Sequence, residues 1–360
     1  MNEIVAAIGR VASGELLDRG QSTAVFTAIT GGEATPAQIG ALLMGLRVRG
    51  ETEDEMVGAV HALRARMHRV SAPEGAMDVV GTGGDGLASY NISTCTALVV
   101  AGAGVPVAKH GNRALSSMSG AADVLTALGV RVGLDPAGVE HCLRHGGIGF
   151  MFAPAHHPAL RHVAAARAEL GTRTVFNLLG PLLNPAGVRR HLVGVYSSQW
   201  LEPMARVLGE LGSRTAWVVH GADGLDEIST TGPTAVAELR DGRVRTFEIS
   251  PRALGLRTMP LARLRGGTPG QNALAVRSVL RGEPGAYRDV VVLNAAAALV
   301  VADRCPGLRE GMVLAAQTID SGAAAACLEA LVKASVQADE TNGVDGVDGT
   351  IGDGPKEAVA

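Results

Sequence analysis

From residue 77 onward, short apolar runs that read as strands alternate with stretches of helical period. No other feature of the chain limits its fold so strongly. The runs are "MDVV", "VPVAKH", "GIGFMF", "HLVGVY" and "TAWVVHG". Strands joined through helices are not hairpin neighbours, so the rhythm predicts a largely parallel sheet covered on both faces. One stretch breaks it. "TAVAELRDGRVRTFEIS" (234–250) carries Asp241-Gly242 at its middle, which predicts an antiparallel hairpin. Three helical segments are expected after it, near 270–281, 287–303 and 309–335.

Residues 1 to about 70 show helical patterning alone. "TPAQ" (35–38) sets a threonine N-cap before a first-turn proline, and "TEDE" (52–55) repeats the capping-box pattern ahead of "MVGAVHALRARM". Four short amphipathic helices there make a small bundle. "HRVSAPEGAM" (68–77) reads as the linker into the strand-bearing part. The last 25 or so residues are rich in Gly and Asp with few large apolar groups, so a disordered tail is expected over 336–360.

Composition narrows the partners. The chain has 360 residues, 47% hydrophobic, enough to bury a large core. Its net charge of −3 supplies no basic field for nucleic acid or an anionic membrane, so any polyanion must be held by a local site. Aromatics at 3% argue against a stacking platform for single strands. Cys95, Cys142, Cys305 and Cys327 show no metal-ligand spacing and read as free thiols of a reducing compartment. "MNEIVAAIGR" lacks the basic start and apolar core of a signal peptide, and "VVVLNAAAALVVA" (290–302) is too short to span a bilayer. A cytoplasmic protein is expected.

The chemistry gathers at three strand ends. In "DVVGTGGDGLASYNISTCTALVV", Gly81, Gly83 and Gly86 satisfy G-x-G-x-x-G. A dinucleotide site also needs a helix opening at the glycines and an acid closing the next strand. Here the helix pattern starts only at "STCTALVV", and the next strand ends in Lys109 and His110. A phosphate nest fits better, with glycine amides aimed at an anion and Asn91, Ser93 and Thr94 adding donors where the helix begins. One such loop is insufficient. A charge-assisted hydrogen bond nets about 1.5–3 kcal/mol, whereas micromolar binding needs about 8 kcal/mol. "KHGNRALSSMSG" (109–120) supplies a second anchor, with Lys109 and Arg113 as cations, Ser116, Ser117 and Ser119 as hydroxyls, and Gly120 opening the next helix. The third is "GLDEIS", whose Asp226 and Glu227 suit Mg²⁺ beside a polyphosphate. Finally, "HHPALRHVAAARAELG" reads as a helix carrying His157 and Arg167 near opposite ends; both could face one cleft, with Arg167 able to clamp a carboxylate, although the residues taken alone read first as exposed helix charges. No G-x-x-x-x-G-K-[ST] is present, which excludes a P-loop NTPase.

"GTGGDG", "NIST", "KHGNR", "SSMSG", "ADVLTALGV", "HHPALRHV", "RTVFNLLGPLLNP" and "GLDEIS", in that order, resemble the anthranilate phosphoribosyltransferase family over roughly residues 1–335. The resemblance implies a small helical domain over 1–72, joined by helices from about 157–185, and an α/β catalytic domain over 73–335. It implies a homodimer assembled through the small domains. The implied reaction takes 5-phosphoribosyl 1-pyrophosphate and anthranilate to N-(5-phosphoribosyl)anthranilate and pyrophosphate, a step of tryptophan biosynthesis, with two Mg²⁺ per subunit. Carried to matching positions, Gly81, Gly83, Gly84, Asp85, Asn91, Ser93 and Thr94 hold the pyrophosphate side, and Lys109 and Ser119 the phosphoribosyl group. Ser93 binds one Mg²⁺, and Asp226 with Glu227 the other. Gly81, His110, Asn112, His157 and Arg167 line the anthranilate path, with Gly111 and Gly180 packing nearby. Met118 stands where the resemblance implies a lysine, and Tyr90 where it implies phenylalanine. No acid–base residue or nucleophile is expected, because positioning and electrostatics carry the chemistry. The competing readings are a pyrimidine nucleoside phosphorylase-like enzyme and a non-catalytic binding relative.

Overall fold

The computed structural model describes residues 3–114 and 118–344. Four helices come first: α1 (Glu3–Ala12), α2 (Arg19–Thr30), α3 (Pro36–Arg49) and α4 (Glu53–Arg64). The threonines of "TPAQ" and "TEDE" act as expected, with Thr35 and Thr52 capping α3 and α4 through complete capping boxes.

The α/β part opens with β1 (Met77–Gly81), α5 (Ile92–Gly102) and β2 (Val107–Gly111), followed by α6 (Ala121–Leu128), α7 (Pro136–Gly146) and β3 (Ile148–Phe152). The chain then passes through α8 (Ala153–His156), α9 (Arg161–Leu170) and α10 (Phe176–Leu179) before re-entering the sheet at β4 (Arg190–Gly194). Next come α11 (Leu201–Glu210), β5 (Thr215–Gly221) and the hairpin of β6 (Thr234–Arg240) with β7 (Arg243–Ile249). Asp241 and Gly242 both take positive φ at its turn, +48° and +77°, as a type I′ hairpin requires. The helices α12 (Pro269–Leu280), α13 (Ala286–Val301), α14 (Leu308–Asp320) and α15 (Ala323–Val344) complete the fold.

The seven strands lie in the order β3-β2-β1-β4-β5-β6-β7. Pairs from β3 to β5 are parallel, and the two joining β5, β6 and β7 are antiparallel. The chain runs outward from β1 to β3, then returns beside β1 as β4. The sheet therefore changes direction of winding between β1 and β4, and open sheets bind ligands outside the strand ends at such a point.

Alternate residues of the central strands feed two cores. Leu192, Trp217 and Val219 join the core shared with α5, α13 and α15. Val193, Ala216 and Val218 join the core that contains α1–α4 and also Val163, Val175 and Leu179 of the 161–182 stretch. Among the described residues no single helix is long and apolar enough to cross a membrane.

Three expectations need correction. The segment 309–335 is two helices, because Gly322, at φ +80°, turns the chain between α14 and α15. The chain does not lose its structure at 336, since α15 continues to Val344 and Ala338 packs at 6% exposure. The rest of the expected tail, 345–360, lies outside the described residues. Lastly, His157 and Arg167 do not share a helix. Pro158 pushes the residue before it out of helical conformation, His157 sits at φ −123° in the break, and α9 begins only at Arg161.

Candidate active site

The ends of β1 and β4 carry Gly81 and Gly194 side by side in parallel register. Asp226 is threaded against both. A Cβ on Gly81 would lie 2.4 Å from Asp226 Oδ2, and one on Gly194 would lie 1.5 Å from the Asp226 carbonyl oxygen. The bare backbone here makes room for an acid. Gly83 and Gly84 then take positive φ, +65° and +73°, which curls the loop back so that the Gly83 amide donates to Asp226 Oδ2 at 2.7 Å. The next acid is tied to the helix start, where the Ser93 amide donates to Glu227 Oε1 at 2.9 Å.

Around these residues lies a cavity of about 360 Å³. Its wall includes Gly81, Gly83, Gly84, Asp85, Asn91 and Ser93 from the first loop, Lys109, His110, Asn112 and Ser119 from the second, and Asp226 with Glu227. The structure thus brings together three stretches read as separate anion- and metal-binding elements. Larger hollows of about 590 and 640 Å³ lie elsewhere and contain none of these residues.

Some expected members stand apart. Thr94 is buried in α5 at 1% exposure, does not line the cavity, and has a hydroxyl without a hydrogen-bond partner. Ser116 and Ser117 lie outside the described residues. Arg113 pairs with Asp123 at 2.9 Å and stacks on Phe152, although it does reach the cavity wall. Met118 is 62% exposed. His157 and Arg167 do not line the cavity. The His157 ring packs edge-on against His110, centroids 5.1 Å apart, while the Arg167 guanidinium lies 5.1 Å over the Phe176 ring. Burial lowers the Arg167 pKa, and no carboxylate pairs with it among the described residues.

Burial governs the electrostatics. Desolvation, then the charge of Asp85, pushes the Asp226 carboxyl up to about 7. Desolvation with the Asp226 charge pushes Glu227 up to about 8. Lys109 is 2% exposed, donates to the Val79 carbonyl at 2.5 Å and to Ser93 Oγ at 3.3 Å, and is lowered by burial against the pull of Asp78, Glu227 and Asp226. His110 Nδ1 lies 3.1 Å from the Gly180 carbonyl, which only accepts, so Nδ1 carries the proton. Its Nε2 is buried without a partner, and burial with the nearby His157 depresses the ring to about 3.

The donor set fits Mg²⁺. Three carboxylates converge, two with raised pKa, and Asp85 Oδ2 is buried without a partner. A cation would relieve that repulsion. Among the described residues no group of three or more His, Cys, Asp or Glu is arranged to hold a metal ion by itself. Mg²⁺ needs none, because it takes one or two carboxylates together with phosphate and water.

Sequence reasoning missed the supports beneath the site. Asp78 is fully buried, accepts from the His110 amide at 3.2 Å and from Asn184 Nδ2 at 2.7 Å, and is pushed up to about 6 by burial. Asn184 also donates to the Ala108 carbonyl, so β1, β2 and the segment after α10 are tied at one point. Arg173 donates to the Gly84 carbonyl and stacks 4.6 Å from the Tyr196 ring centroid, bracing the glycine loop from the helical side. The only sequence signal for Asp78 was an acid inside an apolar strand run.

Two family models cover the chain: "Glycosyl transferase family, helical bundle domain" at residues 5–67 and "Glycosyl transferase family, a/b domain" at 73–325. An anthranilate phosphoribosyltransferase of Rhodopseudomonas palustris (strain HaA2) is 60% identical over 94% of this chain and 100% of its own length. One from Azorhizobium caulinodans is 61% identical over 91% of this chain and 95% of its own. Among solved structures, the Thermus thermophilus anthranilate phosphoribosyltransferase superposes with a TM-score of 0.87 at 42% identity, covering 93% of this chain and 100% of that one. The Saccharomyces cerevisiae enzyme in complex with PRPP and Mg gives 0.85 at 28% identity, covering 93% and 98%.

Proposed function

This chain belongs to the anthranilate phosphoribosyltransferase family, and we propose that it performs that family's reaction. It transfers the 5-phosphoribosyl group of 5-phosphoribosyl 1-pyrophosphate to the amine of anthranilate, a step of tryptophan biosynthesis. The products are N-(5-phosphoribosyl)anthranilate and pyrophosphate. The observation that carries the reading is the convergence of Asp226 and Glu227 on the amides of Gly83 and Ser93 at the winding switch of the sheet. That arrangement unites a phosphate cradle with paired acids.

The glycine-loop amides beyond Gly83, with the Ser93 hydroxyl, receive the pyrophosphate beside the acids that Gly83 and Ser93 hold, while Lys109 and Ser119 serve the phosphoribosyl end. Asp226, Glu227 and Ser93 would hold Mg²⁺, two ions per subunit, which neutralises charge on the leaving pyrophosphate. As the bond from ribose C1 to the pyrophosphate oxygen lengthens, positive charge grows on the sugar ring. The anthranilate amine attacks C1 and releases its extra proton to water. An aromatic amine is already neutral near pH 7, so the residues orient it without acting as a strong base. Asn112 and the neutral His110, with Nε2 as acceptor, face the amine. Arg167 takes the carboxylate, and His157 shapes the path behind His110. The subunits pair through the helical domain, where Val5, Leu16 and Val48 leave apolar side chains 51%, 58% and 81% exposed. The protein works in the cytoplasm.

The test is Mg²⁺-dependent consumption of anthranilate with the pyrophosphorylated ribose donor, run beside thymidine or uridine with phosphate. Turnover of anthranilate alone is expected. Turnover of a nucleoside would replace this function with a phosphorylase, and turnover of neither would leave a binding protein.

A further inference from the structure

Two loops arriving from different strands meet at one side chain. Asn91, at the start of α5, donates from Nδ2 to the Ser119 carbonyl at 3.1 Å and accepts on Oδ1 from the Ser119 hydroxyl at 3.3 Å. Its amide thereby holds the glycine loop against the serine loop. The same Oδ1 accepts from Asn272 Nδ2 at 2.9 Å, and the Asn91 carbonyl accepts from the Tyr287 hydroxyl at 3.0 Å.

Asn272 lies 181 residues further along the chain, in the first turn of α12, and is 1% exposed. It is itself fixed. Its Oδ1 accepts from the Gly267 amide at 2.8 Å, and the turn is closed by the Thr268–Gln271 capping box. The chain before it runs along the glycine loop, with the Gly266 amide donating to the Ala88 carbonyl and the Tyr90 amide to Leu264. A Cβ on Gly266 would lie 2.8 Å from the Ser89 carbonyl and 3.1 Å from Asn272 Nδ2, so this approach depends on a bare backbone.

We infer that Asn272 is a positioning residue that sets the spacing of both phosphate-side loops by fixing the orientation of the Asn91 amide. An asparagine amide has nearly the same shape after a half-turn, but its donor and acceptor exchange places. The Asn272 donor and the Ser119 carbonyl, which only accepts, together select one orientation, the one in which Oδ1 can also receive Ser119 Oγ. Without that donor the amide keeps only the Ser119 carbonyl to orient it, and Ser119 gains freedom to move relative to Ser93 and the Gly83 amide. Asn272 does not line the cavity, so it acts through the residues it holds, and Asn91 is the one of them on the cavity wall.

The inference rests on the donor reading of the cavity. Its test is steady-state kinetics with both substrates varied, and thermal melting alongside, for wild type, Asn272→Ala, Asn272→Asp, Asn91→Ala and the Asn91→Ala/Asn272→Ala double variant. Asp keeps the acceptor for Gly267 but, when ionised, sets an acceptor against Asn91 Oδ1 in place of the donor, so it opposes the native orientation directly and its effect should be at least as large as that of Ala. Both Asn272 variants are expected to raise the KM for the ribose donor at least fivefold while the anthranilate KM stays within twofold. In the Asn91→Ala background the further change should vanish. An unchanged donor KM, or an effect of full size in that background, overturns the inference. Calorimetric binding of Mg²⁺-pyrophosphate by the same proteins reads the brace without turnover. An inactive wild type would thus count against the proposed reaction alone.

Discussion

At Gly81 the backbone lies so close to Asp226 that any side chain must displace the acid and break the hydrogen bond by which the Gly83 amide holds its Oδ2. Gly81→Ala should therefore move Asp226 by an ångström or more and cut kcat/KM roughly 100-fold, the usual effect of such a misplacement. Kinetics and a melting curve check this, and an active, equally stable variant would show that the acid is free to shift. Arg167 offers a contrast. Its guanidinium is half-buried over Phe176 without a carboxylate partner among the described residues, so an incoming carboxylate restores a missing interaction. Arg167→Ala should raise the anthranilate KM about 10- to 100-fold, the range for a charge-assisted pair, and leave the ribose donor KM nearly unchanged. Equal effects on both substrates would refute the assignment. Residues of the cavity wall were legible in the sequence because phosphate and metal chemistry calls for rare types together, as with Asp226-Glu227 or the run of glycines. Asp78, Asn184 and Asn272 were not, since each gains its meaning from a partner up to 181 residues away.

Element boundaries were legible wherever local chemistry set them. The capping threonines at 35 and 52, the Asp241-Gly242 turn and the five parallel strands all follow from side chains within a few residues of the feature. The misreadings share a cause: apolar periodicity carries on past a break that the backbone imposes. Pro158 interrupts an otherwise helical run, and Gly322 divides α14 from α15. The opposite error occurred after 335, where small and polar residues hid the continuation of α15. There Ala338 packs beneath Gly138 of α7, and Asp339 reaches Arg131 at 3.5 Å. Both ends of that ion pair are exposed, so the packing matters more. Truncation after residue 344 should leave the melting temperature unchanged, whereas truncation after 335 should lower it by roughly 2–4 °C. Equal melting temperatures for the two truncations would mean that the last turns of α15 contribute nothing.

Across the whole molecule, two sets of buried groups oppose one another as pH changes. Burial depresses His110 to about 3, His157 to about 4 and His191 to about 3, all from an ordinary 6.5. Each therefore adds stability above pH 6.5 that is lost as pH falls toward its folded value. Burial also raises Asp78 to about 6, Asp226 to about 7 and Glu227 to about 8. Each of these adds stability at low pH that is lost as pH rises through the folded value. Between pH 4.5 and 6.5 the folded chain carries up to three extra protons on these acids and the unfolded chain three on these histidines, with His156, also lowered by burial, adding to the unfolded side, so the contributions largely offset one another. Between 6.5 and 8 only the acids still differ, and stability should fall by up to about 1.4 kcal/mol per pH unit for each proton involved. Urea unfolding at a series of pH values in chelator measures this, and stability that rises from 6.5 to 8 would contradict it. Asp226→Asn and Glu227→Gln should each flatten the decline. Added Mg²⁺ should do the same in the wild type, because a cation bound between the carboxylates favours the ionised form that alkali produces. Its stabilisation should accordingly be larger at pH 8 than at pH 6 and disappear in the Asp226→Asn variant. Equal stabilisation of wild type and variant would place the metal elsewhere.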